Sequence, residues 1–341
     1  MRFARVGLFL PIFSCLNKNI KLIINYLIGP LLFVVLTWSL YRQIVRQPDL
    51  EIRWAHIKHS WQQPAFWLVV LLMFLNWGIE ARKWQLLIRP LQRISLPYAL
   101  KAVFAGCSIT MLTPNRIGEY GGRVLYVDEP YRLRAISLTI LGSMSQLAVT
   151  LLTGVVSLSI LKFSSLSQKI APSPVGWILN GNILMLSVAG LFAILLLFFR
   201  VHFLIALIKK IPFLRGIVKH ISVLDFFSGK QLLRIFSLSF GRYLVFILQY
   251  ILLLQVMDVK ISLPVLFLLL AVFYMLMVIA PSIGFTELPV RATLSILLLG
   301  TFSTNSIGIQ AAALGIWLIN LVTPAVIGSI LLLGIKIMKE K

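Results

Sequence analysis

The sequence predicts an all-α polytopic integral membrane protein, with about six to eight transmembrane helices and two broken, re-entrant segments arranged as an inverted repeat. Three observations lead there. Of 341 residues, 59% are hydrophobic and 12% charged, and mean hydropathy is +0.95, whereas soluble domains carry about 25% charged residues. The apolar residues form continuous runs, about twice as long as the ~10-residue alternating segments of an outer-membrane barrel. Two of those runs end in proline–glycine breaks that carry charge.

The elements follow in order. Residues 1–17, with a basic start and a short apolar run in "MRFARVGLFLPIFSCLNKN", read as an amphipathic lead-in or as a leader ending near Cys15. Residues 18–341 read as a single transmembrane domain, its first half about 18–200 and its second about 201–341. Spans are expected at Leu22–Tyr41, Ala65–Ile88, Arg134–Leu161, Val175–Phe199, Ile235–Met257 and Ile307–Ile335. Leu96–Thr113 and Leu263–Ala280 are apolar but run into the breaks, and Ala292–Phe302 is short. Arg200–Arg234 is a basic amphipathic connector lying in the membrane interface.

Net charge is +22. The basic residues flank apolar spans, so they read as cytoplasmic anchors and contacts to anionic phospholipids, and nucleic acid is not expected as a partner. The connector holds Arg200, Lys209, Lys210, Arg215, Lys219, Lys230 and Arg234, which places it on the cytoplasmic side. The tail, with Lys336, Lys339 and Lys341, and the loop Arg82–Lys101 follow it. Lys162–Pro174 and Met257–Ser262 are poor in basic residues and suit the outside. Two full crossings between Arg82–Lys101 and Lys162 would violate that assignment. The conflict disappears if Leu96–Arg123 enters and leaves on one side, and Leu263–Phe302 poses the same problem from the other. Expected localisation is the inner cell membrane, multi-pass, with a cytoplasmic C-terminus.

The breaks resemble each other. "TPNRIGEYGGR" holds Pro114, Arg116, Gly118, Glu119, Gly121, Gly122 and Arg123; "PSIGFTELPVR" holds Pro281, Gly284, Glu287 and Arg291. Each reads Pro, Ile-Gly, Glu, then Arg four residues after the Glu. Pro114 and Pro281 end helices, while Gly118, Gly121, Gly122 and Gly284 permit tight turns and close backbone approach. Glu119 with Arg123, and Glu287 with Arg291, share one helical face if helical. Each pair either neutralises itself and pins helices, or lends its arginine to an anionic headgroup. Arg116 has no local partner, which favours a phosphate. A third cluster, "GIEARKW", holds Glu80, Arg82, Lys83 and Trp84. Trp77, Glu80 and Trp84 fall on one face, and the plainer reading is an interfacial anchor at the cytoplasmic end of its span.

Other chemistry is sparse. Cys15 and Cys107 are too scattered for a disulfide framework or metal site. His56 and His59 share a helix spacing, but beside Trp54 and Trp61 they read as an interfacial belt, so no metal is expected. No nucleotide loop is present, and no cofactor is expected.

"TPNRIGEYGGR", the upstream "EARKWQLL" and the late "PSIG…ELPVR" resemble the lysylphosphatidylglycerol synthase transmembrane-region family, over about Lys18–Lys336. Its N-terminal motif, Pro-x-x-x-Gly-Glu-x-x-x-Arg, is matched by Pro114, Gly118, Glu119 and Arg123. Its late motif, like Gly-Gly-x-Gly-Val-Arg-Glu, is matched at Val290 and Arg291, but Pro289 replaces a glycine, Ala292 replaces the glutamate, and Glu287 lies upstream. The resemblance implies a membrane-embedded lipid translocator, here without a fused synthase domain and therefore not a lysyltransferase. The expected function is flippase-like movement of a polar or anionic-headgroup lipid between leaflets, not catalysis. The expected partners are that lipid, anionic phospholipids and a second copy of the chain in a homodimer. Alternatives are a headgroup-modifying enzyme, with Glu119 or Glu287 as base, and a non-transporting scaffold.

Overall fold

The computed structural model describes Trp38 and residues 50–111, 113, 117–211, 215–279 and 287–333. The predicted span Leu22–Tyr41 and the basic tail therefore lie outside the described residues, Trp38 apart. So do Pro114, Arg116, Pro281 and Gly284. Every element among the described residues is helical. In order they are α1 (Leu50–His59), α2 (Pro64–Ile88), α3 (Leu96–Met111), α4 (Gly118–Val124), α5 (Arg132–Phe163), α6 (Leu166–Ile170), α7 (Gly181–Phe199), α8 (Val201–Lys210) and α9 (Arg215–Ile221). They continue with α10 (Gly229–Val256), α11 (Leu263–Ile279), α12 (Glu287–Leu299), α13 (Ser306–Trp317) and α14 (Thr323–Leu333), the last two joined by a π-helical turn, Leu318–Val322.

Among the described residues, five stretches are long and apolar enough to cross a membrane: Pro64–Ile88, Glu129–Phe163, Gly181–Phe199, Gly229–Val256 and Ser306–Leu332. Helices α3 and α11 are shorter, about 24–26 Å against a hydrocarbon core of about 30 Å. Helix α4 reaches only about 10 Å. The chain is an all-α, multi-pass membrane protein.

Several boundaries differ from the sequence reading. The span expected from Val175 begins at Gly181, because Gly176–Leu179 forms a 3-10 turn and the Asn180 side chain caps the helix, accepting from Asn182 N–H at 2.9 Å. The segment expected from Ala292 begins at Glu287. The Gly118–Arg123 stretch, whose helicity the sequence left open, is helical. Helix α10 opens on a capping box in which Ser228 N–H donates to Gln231 Oε1 at 2.8 Å.

Helices α2 and α10 pack side by side. Gln249 Nε2 donates to Val69 O (2.9 Å), Arg242 Nε to Asn76 Oδ1 (2.8 Å), and Lys83 Nζ to Ser239 Oγ (3.4 Å). Residue numbers rise along one helix as they fall along the other, so the two are antiparallel. Their C-terminal ends therefore face opposite ends of the bundle.

A hairpin departs from each of those ends. After α2, helix α3 runs in and α4 doubles back along it. A Cβ on Gly118 would lie 2.4 Å from the Ile109 carbonyl, and one on Gly122 would lie 2.5 Å from Ala105 O and Gly106 Cα. Only glycine permits that approach, and its spacing is that of the small-residue contacts of membrane helices. Gly121, on the other side of α4, faces open space. Gln92 closes the hairpin where it began, donating to Tyr126 O (3.1 Å) and accepting from Asp128 N–H (3.1 Å). After α10, helices α11 and α12 do the same. Asn305 closes that hairpin by donating to Met257 O (3.0 Å) and Asp258 O (3.2 Å) while accepting from Gly308 N–H (2.9 Å).

The two halves exchange partners. Helix α3 packs on α14, where Ser108 and Ser329 share a hydroxyl hydrogen bond (2.6 Å), and α11 packs on α5. One apolar core gathers side chains of α5 and α10–α13, including Val149, Tyr250, Phe273 and Leu298. The other gathers Trp77, Trp84, Ala105 and Leu138 from α2, α3 and α5. The candidate site lies in the second.

Candidate functional site

Glu80, in the last third of α2, is the centre of the site. Its side chain is 3% exposed and faces three cations: Arg123 Nη2 at 2.7 Å, Lys83 Nζ at 2.8 Å and Arg242 Nη1 at 3.0 Å. Helix geometry supplies Lys83, one turn on. The α4 hairpin supplies Arg123, and the antiparallel α10 supplies Arg242. A buried charge is tolerated only when paired and hydrogen-bonded, and here the three cations meet that condition for one carboxylate.

Arg123 Nη2 also donates to Glu119 Oε1, one helical turn before it. Three cations against two carboxylates leave the cluster with one surplus positive charge. Aromatic faces hold the guanidiniums: Arg123 lies over Trp84 (5.4 Å), and Arg242 over Trp77 (5.0 Å) and Phe246 (5.3 Å).

Polar side chains extend the network in two directions. Arg242 Nε donates to Asn76 Oδ1, and Asn76 Nδ2 donates to Asn320 Oδ1 at 3.0 Å. Asn320 sits in the π-helical turn between α13 and α14, a distortion that frequently marks functional sites. In the other direction Lys83 Nζ reaches Ser239 Oγ, which accepts from Ser145 Oγ at 2.9 Å. Buried Arg123 Nε and Asn320 Nδ2 have no hydrogen-bond partner among the described residues.

The second hairpin holds a simpler pair in the other core. Arg291 Nη2 donates to Glu287 Oε1 at 3.0 Å, both side chains being buried, and its guanidinium lies over Phe273 (5.8 Å). Ser295 Oγ donates to Arg291 O (2.8 Å) and shares a hydrogen bond with Tyr250 Oη (2.7 Å).

The family described as lysylphosphatidylglycerol synthase TM region matches residues 23–328. The chain belongs to the lysylphosphatidylglycerol synthase transmembrane-region family. Both hairpins and both charged clusters fall within the matched span, and membership gives the chain a lipid-related role in a membrane. Comparison with curated proteins finds no match.

For this family member the structure places the predicted residues as follows. Glu119 and Arg123 meet each other, and Glu80 and Trp84 join them. Glu287 and Arg291 form their own pair. Arg116, Pro114, Pro281 and Gly284 lie outside the described residues. The interfacial-anchor reading of "GIEARKW" is corrected for Glu80, Lys83 and Trp84, which are buried at 2%, 2% and 0% exposure. They turn inward because α3, α4 and α10 cover that face of α2. Arg82 alone of that cluster faces out, bonded to Gln85.

Asn76, Arg242 and Asn320 were not singled out in the sequence. The signal was there: each is a polar or charged residue inside an apolar span, which by default marks a functional position. Among the described residues no group of three or more His, Cys, Asp or Glu comes together as a metal site.

Proposed function

We propose that the protein is a flippase-like lipid translocator that carries a polar or anionic-headgroup lipid across the inner cell membrane by way of the Glu80–Arg123–Arg242 cluster. One observation carries this reading: a cluster with a surplus positive charge lies buried where two antiparallel spans cross and the tip helix of a hairpin meets them. Such a charge is costly in hydrocarbon, roughly 2.5–3.5 kcal/mol per residue on insertion scales. A scaffold gains nothing from that expense that apolar packing would not supply.

On this reading the α3–α4 and α11–α12 hairpins are the re-entrant segments of an inverted repeat, entering from opposite faces. That arrangement places substrate sites near the midplane in secondary transporters. The α3–α4 hairpin opens to the cytoplasm by the positive-inside rule, and the C-terminus lies on that side.

The test is reconstitution of the full chain in liposomes carrying a fluorescent phospholipid, with a membrane-impermeant quencher added outside. The protein is expected to raise the quenched fraction above the outer-leaflet share. Arg123→Ala and Arg242→Ala should abolish the increase, while Lys260→Gln, on an exposed loop, should leave it intact. Equal rates in all four proteins would reject the site, and a rate no higher than empty liposomes would reject transport.

A further inference from the structure

Arg123 is shared unequally. The same nitrogen, Nη2, serves Glu80 and Glu119. Glu80 is fixed: its side chain is 3% exposed and two further cations hold it. Glu119 is 26% exposed and makes no other ion pair among the described residues. Gly106 packs closely beneath, where a Cβ would crowd Arg123 Cγ and Glu119 O, both at 3.3 Å.

Arg123 is also incompletely used. Its Nε is buried without a hydrogen-bond partner among the described residues. Nε and Nη2 form one edge of the guanidinium, the fork that takes two oxygens of a single anion. The Nη2 half of that fork is shared by Glu119 and Glu80. The plane itself is held by stacking over Trp84.

We infer that Glu119 is a place-holding counter-ion, and that a phosphodiester monoanion displaces it from Arg123 by taking the Nε–Nη2 edge with two oxygens. The exchange conserves charge at Arg123, one negative group for another, so the surplus positive charge of the cluster is unchanged. Glu119 swings toward its exposed side, and Glu80 stays to hold Lys83 and Arg242. The substrate class selected is a lipid with a phosphodiester headgroup, or a free phosphate with the same oxygens. This rests on the translocator reading for its biological setting, but not for its chemistry.

Glu119→Gln in the full chain, in neutral detergent, tests it. Dihexanoyl phosphatidylglycerol is titrated calorimetrically, with and without excess inorganic phosphate. Removing the competing carboxylate should tighten binding about tenfold, the scale of one charge-assisted hydrogen bond. Glu119→Asp, whose carboxylate is one methylene shorter, should tighten it by less. Competition by inorganic phosphate would identify the free ion as a ligand, and its absence would identify the lipid headgroup. Unchanged or weaker binding in folded Glu119→Gln protein would overturn the inference. If that happened while Arg123→Ala still abolished lipid movement, the translocator reading would stand alone. Tightened binding without any lipid movement by wild type would leave the displacement intact and reject transport.

Discussion

Glu80→Gln is the perturbation that most directly examines the cluster. The substitution keeps the shape and removes the charge, leaving Lys83, Arg123 and Arg242 with Glu119 as their one carboxylate. At 2.7–3.0 Å each contact has a gross attraction of about 5–6 kcal/mol at an effective dielectric of about 20. Desolvation has already consumed several kcal/mol per ion, so the expected net loss is about 3–5 kcal/mol, the usual cost of stranding a buried partner. The decisive comparison is a cycle with Lys83→Met. Lys83 is buried and has Glu80 as its ion-pair partner. Removing it from the Glu80→Gln protein takes away one stranded charge and should restore about 1–3 kcal/mol. The assay is reversible unfolding of the detergent-solubilised protein for wild type, both single variants and the double. Additive effects, with the double variant as weak as the sum of the singles, would refute the argument that Glu80 and Lys83 stabilise by neutralising each other.

Two further predictions concern the hairpins. Gly122→Ala should destabilise by about 1–3 kcal/mol, because its Cβ would strike α3 backbone that has no room to yield, whereas Gly121→Ala should be neutral or stabilising by up to about 1 kcal/mol from helix propensity; thermal unfolding of the two proteins reads the contrast. Cysteines introduced at Gln92 and Lys260 should label from opposite sides of the membrane in right-side-out vesicles, with the Gln92 position protected from an impermeant maleimide; labelling of both from one side would contradict opposed hairpins.

The local features were legible in the sequence. Apolar runs of about 20 residues require membrane helices, because unsatisfied backbone groups are intolerable in hydrocarbon. The i,i+4 spacing of Glu119 with Arg123 and of Glu287 with Arg291 was enough to pair them, since one helical turn brings such residues together whatever surrounds them. The Gln92 and Asn305 clasps join chain on either side of each hairpin. The sequence left open whether the Glu/Arg pairs sit on helices, and Gly118–Val124 and Glu287–Leu299 are helical.

What the sequence did not carry is the identity of the site. "GIEARKW" looks alike at an interface and in a core, because burial is a property of what packs against α2. That is decided by helices tens to hundreds of residues away: Arg123 meets Glu80 across 43 positions, Arg242 meets Asn76 across 166, and Asn76 meets Asn320 across 244. No periodicity encodes those distances. Composition and spacing determined that this chain is an all-α, multi-pass membrane protein. Only the antiparallel crossing of α2 and α10, with α4 folded against it, decided that one carboxylate would gather three cations, because an ion pair in low dielectric depends on ångström separations that local spacing does not set.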